Sequence, residues 1–277
     1  PPLGRPRRLR TTPLSRWTDP HYLREEQYRD PANLDARAAL HRRFSTHDYP
    51  WQRWVFDQFH LPTEARVLEL GCGPGDLWAV NRARVPACWD LILTDLSAGM
   101  VWEARKRLGT HGAHFVYVSV DAQSLPFRPQ SFDAVIANHV LYHVPRRHRL
   151  LHEVHRVLVP EGRFYAATNG MEHMQELKEL VSRFVPGSDT ADVVEPFCLE
   201  NGEAQLREIF SSVRLFRQEN SLIVTEPDAI VDYVRSYVSD EPGDPGLTAL
   251  ASWVRRHVAT HGAFTISKDA GMFVAAK

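Results

Sequence analysis

The chain has 277 residues, of which 43% are hydrophobic and 24% charged, and its formal net charge is −1. These values predict one main domain with additions and a sizeable core, and they give no global field that draws the protein to nucleic acid. No apolar run is long enough to span a bilayer and no secretory signal is recognisable, so we expect a cytoplasmic protein. The three cysteines are far apart, which argues against a disulfide framework or a structural zinc site.

The first 18 residues form a distinct basic segment. They contain five arginines, several prolines and no acidic residue. Such a composition predicts a flexible basic arm that remains mostly disordered. It is either a solvated tail or a segment that contacts RNA, a membrane or a neighbouring subunit.

Residues 19–60 have the periodicity of short helices. Asp19 and Pro20 are typical of a helix start, and the first helix extends to about residue 30. Asn33 can cap a second helix that ends at Phe44, and residues 51–59 predict a third. These elements precede the first strand, so we expect a helical N-terminal cap over a cleft, and possible homo-oligomer contacts would lie on this cap.

Residues 67–75 read VLELGCGPG, an apolar run followed by glycines at alternate positions. This pattern predicts a buried strand that turns sharply into a helix and leaves bare backbone for a ligand. A dinucleotide fingerprint would place its third glycine at 76, where this chain has an aspartate. The carboxylates of Glu69 and Asp76 would repel a pyrophosphate, and they favour a cationic or zwitterionic ligand.

Strands and helices then alternate as far as residue 167. This order predicts a mostly parallel sheet covered on both faces, with right-handed crossovers. The predicted strands are 65–70, 90–95, 114–120, 132–138 and 161–167, and the predicted helices are 76–84, 98–108 and 146–157.

The C-terminal third is less regular. Residues 171–210 are helical in pattern, with an interruption at residues 186–187. Residues 212–225 and 262–275 alternate between apolar and polar side chains, which predicts two further strands. Residues 269–271 (DAG) predict a turn or bulge within the last strand.

Five motifs in order, over roughly 110 residues, together resemble those of the class I S-adenosylmethionine-dependent methyltransferases. They are ELGCGPG at 69–75, LILTDLS at 91–97, DAQSLPF at 121–127, FDAVIANH at 132–139 and RVLVPEGRFY at 156–165. The resemblance is to members that act on small molecules of the ubiquinone, sterol and natural-product type. It extends over residues ~60–277 and is less specific in the cap.

The resemblance implies an α/β, Rossmann-like, seven-stranded sheet. Its strand order is 3-2-1-4-5-7-6, and the last strand is antiparallel. The methyltransferase domain would cover residues 61–277, and the helical insertion at about 171–210 would form a lid over the substrate.

The cofactor implied is S-adenosyl-L-methionine, with S-adenosyl-L-homocysteine as its product. Asp95 is placed to accept the ribose hydroxyls, although an aspartate there can also cap the next helix. Asp121 would accept from the adenine amino group beside the backbone amide of Ala122, or it forms a turn. The remaining cofactor residues that the resemblance implies are Glu69, Gly71, Cys72, Gly73, Leu96, Met100, Asn138 and His139.

Methyl transfer to an alcohol, amine or phenol also requires removal of a proton, which an imidazole can accept. The candidate catalytic residues are His139 and His143 after the fourth strand, Asn169 after the fifth, and Tyr22 and Tyr28 of the cap. Singly, the cap aromatics (Tyr22, Tyr28, Phe44, Trp51 and Trp54) are either packing residues or the wall of a site. We expect no metal, since the pairs His139/His143 and His148/His152 lack a nearby carboxylate.

The acceptor is the least determined part. Residues 137–141 (ANHVL) lack the Asn-Pro-Pro-aromatic signature of base and glutamine N-methylases, so we expect no DNA substrate. The aromatic residues of the cap favour a small apolar or aromatic acceptor, in secondary metabolism. Two alternatives stay open: an RNA- or protein-modifying methyltransferase, and an S-adenosylmethionine-binding cyclase or scaffold that transfers no methyl group.

Overall fold

The computed structural model describes residues 15–109, 114–187, 193–238 and 244–277. Its central element is a seven-stranded sheet in the order β3-β2-β1-β4-β5-β7-β6. The predicted fold class and strand order are therefore confirmed. The strands are β1 (Arg66–Leu70), β2 (Asp90–Asp95), β3 (His114–Ser119), β4 (Phe132–Asn138), β5 (Leu158–Asn169), β6 (Ser212–Val224) and β7 (Phe264–Ala276).

Helices lie on both faces of this sheet and above its carboxyl edge. They are α1 (Pro20–Tyr22), α2 (Ala32–Phe44), α3 (Trp51–Asp57), α4 (Asp76–Val80), α5 (Ala98–Leu108), α6 (Arg147–Val157), α7 (Gln175–Phe184), α8 (Gly202–Arg207), α9 (Pro227–Arg235) and α10 (Pro245–His261). A π-helical turn (Leu23–Gln27) continues α1, and 3-10 turns cover Arg16–Thr18, Arg82–Arg84 and Leu141–His143.

Burial on both faces explains why the central strands form. β1 pairs in parallel with β2 and with β4, and the side chains of β1 and β4 are almost all buried. One core lies between the sheet and α6 with α8, and another between the sheet and α3, α4 and α5. Strands covered on both faces read as continuous apolar runs, which is why sequence patterning located them within a few residues.

A third core lies outside the sheet and forms a cap. It is built from α2, α7, α9, α10 and the outer ends of β6 and β7. The β5–β7 pairing ends at Asn169↔Ala270, whereas β6 and β7 continue to pair as far as Val224↔Phe264. The last two strands thus extend beyond the sheet and carry α9 and α10. Sequence analysis did not predict these two helices.

Three expectations about boundaries need correction. The β6–β7 register is uninterrupted through Asp269 and Gly271, so the predicted turn or bulge does not form. Within the described residues of the predicted lid, α7 joins the cap, whereas α8 packs on the sheet, where a Cβ on Gly202 would lie 2.5 Å from Phe273 Cε2.

The basic arm is the third correction. Residues 1–14 lie outside the described residues, but Arg16–Thr18 form a 3-10 turn in which Trp17 is buried. Arg16 Nη2 donates to the carbonyl oxygen of Tyr237 at 2.9 Å. Burial of the apolar Trp17 indole and the Arg16 hydrogen bond hold residues 16–18 on the cap. None of the helices in the described ranges is long and apolar enough to cross a bilayer.

Candidate active site

A cavity of about 800 Å³ lies between the carboxyl ends of the parallel strands and the cap. Its floor comes from the loops after β1, β2, β4 and β5, and its roof comes from α2, α7, α9 and the segment around Trp17. Ligands of α/β sheets bind at this edge because the loops there can vary without disturbing the strands.

The three glycines after β1 have different roles. All three have positive φ, and a Cβ on Gly71 would lie 2.4 Å from Val140 Cγ2 and on Gly75 2.8 Å from Leu108 Cδ1. Neighbouring side chains therefore leave no room for a side chain at Gly71 or Gly75. A Cβ on Gly73 would meet only Leu34 Cδ2, at 3.5 Å. Gly73 is therefore the glycine that leaves open backbone at the cavity.

Asp95 fixes this turn. Its Oδ2 accepts from the backbone N–H of Gly73 at 3.0 Å, and its Oδ1 accepts from the N–H of Ser97 at 2.8 Å. The cap of α5 is Ser97, whose hydroxyl accepts from the N–H of Met100 at 3.3 Å. Asp95 is thus not the helix cap; burial raises the pKa of its carboxyl, and these backbone N–H groups lower it.

We expect Asp95→Ala to weaken S-adenosylmethionine binding by about 1–3 kcal/mol, because hydrogen bonds to the ribose and the brace on Gly73 are both lost. Calorimetric titration of the variant measures the loss. Asp95→Asn is the matched control, since it keeps one oxygen acceptor and should lose less. Unchanged affinity in Asp95→Ala would remove the ribose assignment.

The carboxyl of Glu69 lies buried beneath the turn. Its Oε2 accepts from the indole N–H of Trp78 at 2.6 Å, and its Oε1 is 3.5 Å from Asn138 Nδ2. Burial raises the pKa of Glu69 to about 7. The other side-chain atom of Asn138, Oδ1, is buried and has no hydrogen-bond partner. A ligand that brings a donor, such as an ammonium group, would satisfy it.

Asp121 is exposed at the cavity. Its carboxylate stabilises the following turn, which was the alternative to an adenine contact. Its Oδ1 accepts from the backbone N–H of Gln123 at 2.9 Å and from Gln123 Nε2 at 3.0 Å. The adenine contact of Asp121 stays a prediction. Several other predicted cofactor residues line the same part of the cavity: Cys72, Leu96, Met100 and Ala122.

Tyr28 and His143 form a hydrogen-bonded pair in the cavity wall. His143 Nδ1 lies 2.8 Å from the carbonyl oxygen of Trp17, which can only accept, so Nδ1 carries the proton. Burial lowers the pKa of His143 to about 4 and keeps the ring neutral. Its Nε2 therefore accepts from the Tyr28 hydroxyl, at 3.0 Å. The sequence proposed both residues but not their pairing.

His139 and Asn169 also line the cavity. His139 has a positive φ of 57°, and its backbone N–H donates to the carbonyl oxygen of Ala167 at 2.9 Å. Its ring lies 5.5 Å from that of Trp51, and burial lowers its pKa to about 4. His139 is therefore a neutral wall residue in the folded protein.

Tyr22 is not among the residues that line the cavity, so the cavity lends no support to its predicted catalytic role. Its hydroxyl donates to Gln27 Oε1 at 3.2 Å, and its ring packs edge-on against Trp17 with centroids 6.0 Å apart. The Arg16 guanidinium lies 5.7 Å from the same ring. Tyr22 thus holds the N-terminal segment on the cap.

The cap brings polar residues to the cavity that the sequence patterns did not single out, namely Arg37 and His41 of α2 and Lys268 of β7. His173, before α7, lines the cavity as well. His173 Nδ1 accepts from the backbone N–H of Asp269 at 3.1 Å, so its other nitrogen carries the proton. The only local signal was the spacing of Arg37 and His41, four residues apart on one helix face. Within the described ranges, no group of three or more His, Cys, Asp or Glu is arranged to hold a metal ion.

The neutral histidines of the cavity predict acid sensitivity. Burial lowers the pKa of His41 to about 3, and lowers that of His173 well below 6.5. At His41 and His143 the unfolded chain binds a proton near pH 6.5 and the folded chain only near pH 3–4, so unfolding takes up protons between these values. Stability therefore falls as pH decreases from about 6.5 towards 4, by up to about 2 kcal/mol per histidine at pH 5.

Urea unfolding at pH 7.5 and pH 5.0 measures this loss. His41→Gln should reduce the difference between the two pH values, whereas a change at the exposed His148 (His148→Gln) should not. Equal pH dependence in the wild type and His41→Gln would show that His41 does not titrate as described.

The strand order, the glycine turn after β1 and the acidic residue after β2 define the class I methyltransferase architecture. Residues 68–166 match the family described as methyltransferase domain. This part of the chain is therefore a methyltransferase domain, and the sheet has the class I architecture.

Curated relatives resemble part of the chain. The ubiquinone/menaquinone biosynthesis C-methyltransferase UbiE of Methylococcus capsulatus is 32% identical over 131 residues, 47% of this chain and 53% of that protein. The UbiE of Xanthomonas campestris is 36% identical over 114 residues, 40% of this chain and 45% of that protein. The chain thus spans about half the length of the curated relatives that it matches.

Solved structures share the fold. Phosphoethanolamine N-methyltransferase 2 of Haemonchus contortus, in complex with phosphomonomethylethanolamine and S-adenosylhomocysteine, has a TM-score of 0.59 at 18% identity and covers 95% of this chain and 60% of that chain. At this identity the likeness shows the fold alone.

Proposed function

We propose that the protein transfers a methyl group from S-adenosylmethionine to a small acceptor molecule. The observation that carries this proposal is that the open backbone of Gly73 and the unpartnered Oδ1 of Asn138 line one cavity, which also has aromatic walls under the cap. A cofactor seat and a substrate chamber in one cavity are what group transfer between two small molecules requires.

The residues at the first end fit this cofactor. Asn138 Oδ1 and Glu69 offer acceptors for the ammonium group, Asp95 for the ribose hydroxyls and Asp121 for the adenine amino group. When bound, S-adenosylmethionine supplies an electrophilic methyl group on a sulfonium. Carboxylates around a cationic ligand stabilise it, whereas they would oppose the pyrophosphate of a dinucleotide.

Tyr28 and His143 can accept a proton from the acceptor. The Tyr28 hydroxyl donates its hydrogen to the neutral Nε2 of His143, so the Tyr28 oxygen offers lone pairs to an acceptor hydroxyl or amine. When the acceptor loses its proton, the proton can pass to the Tyr28 oxygen while the Tyr28 hydroxyl proton passes to His143 Nε2. The carbonyl of Trp17 then still holds Nδ1 and orients the ring.

The chamber supports a small, partly aromatic acceptor. Its walls include Trp17, Tyr28, Trp51, Tyr142 and Tyr233, which offer flat apolar surfaces. The names of the relatives include carbon and nitrogen methylation, so the atom that receives the methyl group is left open in this proposal.

Calorimetric titration of S-adenosylmethionine, S-adenosylhomocysteine and NAD tests the cofactor. We expect micromolar binding of the first two and none of NAD; binding of NAD instead, or of none, would overturn the proposal. Incubation with candidate acceptors then separates a transferase from a cyclase or scaffold on the same fold, because only a transferase releases S-adenosylhomocysteine.

A further inference from the structure

The cavity has opposite charges at its two ends. Glu69, Asp95 and Asp121 line the end at the glycine turn, whereas the chamber under the cap is lined by Arg37 and Lys268. Neither cation forms an ion pair with a carboxylate in the part of the chain that the structure describes. In these described ranges, no paired carboxylate compensates the positive charge of the chamber.

Of the two cations, Arg37 gives the stronger indication that the chamber binds an anion. Its Nε and Nη2 are buried, and neither has a hydrogen-bond partner. The guanidinium carbon lies 5.6 Å from the centroid of the Tyr28 ring, and this cation–π contact offsets only part of the lost hydration. A guanidinium stays charged when buried, so its unused N–H groups need an acceptor.

Lys268 adds a second charge to the same chamber. It lies on the part of β7 that extends beyond β5, and burial lowers the pKa of its ammonium group to about 8. Both Lys268 and Arg37 lower the pKa of His41, which places the two cations around one imidazole. His41 Nδ1 is itself buried without a hydrogen-bond partner.

The described ring side chains around the two cations carry no negative charge. The histidines around the two cations have lowered pKa values and are neutral, and the pKa values of Tyr142 and Tyr233 are raised by burial. A bound anionic molecule would supply the compensating charge. Planar oxyanions suit a guanidinium because two oxygens can accept from neighbouring N–H groups.

We propose that the acceptor carries an oxyanion, a carboxylate or a phosphate, which binds to Arg37 together with Lys268. The proposal rests on the proposed function in one respect, namely that the methyl acceptor occupies this chamber. The anionic group would anchor one end of the acceptor, and the aromatic walls would hold its body so that the nucleophile faces Tyr28.

Titration with simple anions tests this anchor. The wild type, saturated with S-adenosylhomocysteine, is titrated with inorganic phosphate and with benzoate, and with benzyl alcohol as the uncharged analogue. We expect at least one anion to bind and benzyl alcohol to bind more weakly; the anion that binds more tightly identifies phosphate or carboxylate as the group. Failure of both anions to bind would overturn the proposal.

Variants locate the binding. Arg37→Met should weaken anion binding by about 10- to 100-fold, and Lys268→Met by a smaller factor. Arg53→Met is the matched control, because Arg53 is exposed on α3 and does not line the cavity. Equal anion affinity in the wild type and both cavity variants would assign the binding to another surface and overturn the proposal.

Thermal unfolding without ligand separates an anion site from a structural role. Removal of an uncompensated buried charge should leave the melting temperature of Arg37→Met unchanged or raise it, by about 2–4 °C. A clear decrease, with no anion binding to the wild type, would show that Arg37 is structural. If Arg37→Met does not fold, the wild-type titrations and Lys268→Met still decide.

The two proposals fail separately. S-adenosylmethionine binding without anion binding would overturn only the anchor, whereas anion binding that is lost in Arg37→Met, without S-adenosylmethionine binding, would overturn the transferase and retain an oxyanion site.

Discussion

Gly73→Val abolishes S-adenosylmethionine binding, a loss of at least about 100-fold, and leaves the fold intact. The Cβ of the new valine would meet only Leu34 Cδ2, at an ordinary contact distance of 3.5 Å, so the strands and helices need not move. The isopropyl group would instead fill the space above the turn, where the cofactor is proposed to contact the backbone. Calorimetric titration with S-adenosylmethionine, beside a thermal unfolding curve, measures both parts of this expectation.

Gly262→Val is the matched control for this variant. Gly262 also has a positive φ, at the end of α10, and no atom lies within 4 Å of a Cβ there. A left-handed valine costs about 1–2 kcal/mol at either position. Both variants should therefore lose similar stability, but only Gly73→Val should lose the cofactor. Normal affinity in Gly73→Val would show that the cofactor does not lie on this turn.

Tyr28→Phe and His143→Gln lower turnover by about 100-fold or more, with nearly normal cofactor affinity. General-base catalysis typically contributes 10²–10⁴-fold, and each variant breaks the path from the acceptor to the imidazole. If the pair acts as one unit, the double variant should be little slower than either single variant. Single-turnover rates with saturating cofactor measure this step once an acceptor is found.

Tyr22→Phe provides the control for the loss of a phenolic hydroxyl in the cap. The Tyr22 hydroxyl donates to Gln27 and does not line the cavity, so this variant should keep its turnover. Equal rates in Tyr28→Phe and Tyr22→Phe would show that the acceptor loses no proton through Tyr28, as expected if carbon is methylated without a base at this position.

The sheet and the glycine turn at its carboxyl edge could be predicted because their signals are local. The strand β1 and the turn at Gly71, Gly73 and Gly75 form one continuous segment, and parallel strands bring the following loops to one edge. The positions of Asp95 and Asn138 then follow from the strand order alone.

The acceptor end could not be predicted in the same way. It is assembled from α2, α7, α9 and the outer part of β7, which are distant in sequence and pack together in the third core. Nothing near Arg37 or Lys268 in the sequence indicates that these charges share one chamber. Likewise, the choice between Tyr22 and Tyr28 depends on the direction in which a short helical segment faces, and a π-helical turn lies between the two residues.

One face of α2 spans both ends of the cavity. Leu34 lies over Gly73, and Arg37 and His41 follow it at intervals of three and four residues. Arg37 and His41 therefore line the acceptor chamber from the same helix that contacts the glycine turn. A ligand that fixes this helix at one end also positions it for the ligand at the other end. Cofactor and acceptor should therefore each raise the affinity of the other, by the same factor, through a shared helix rather than through direct contact.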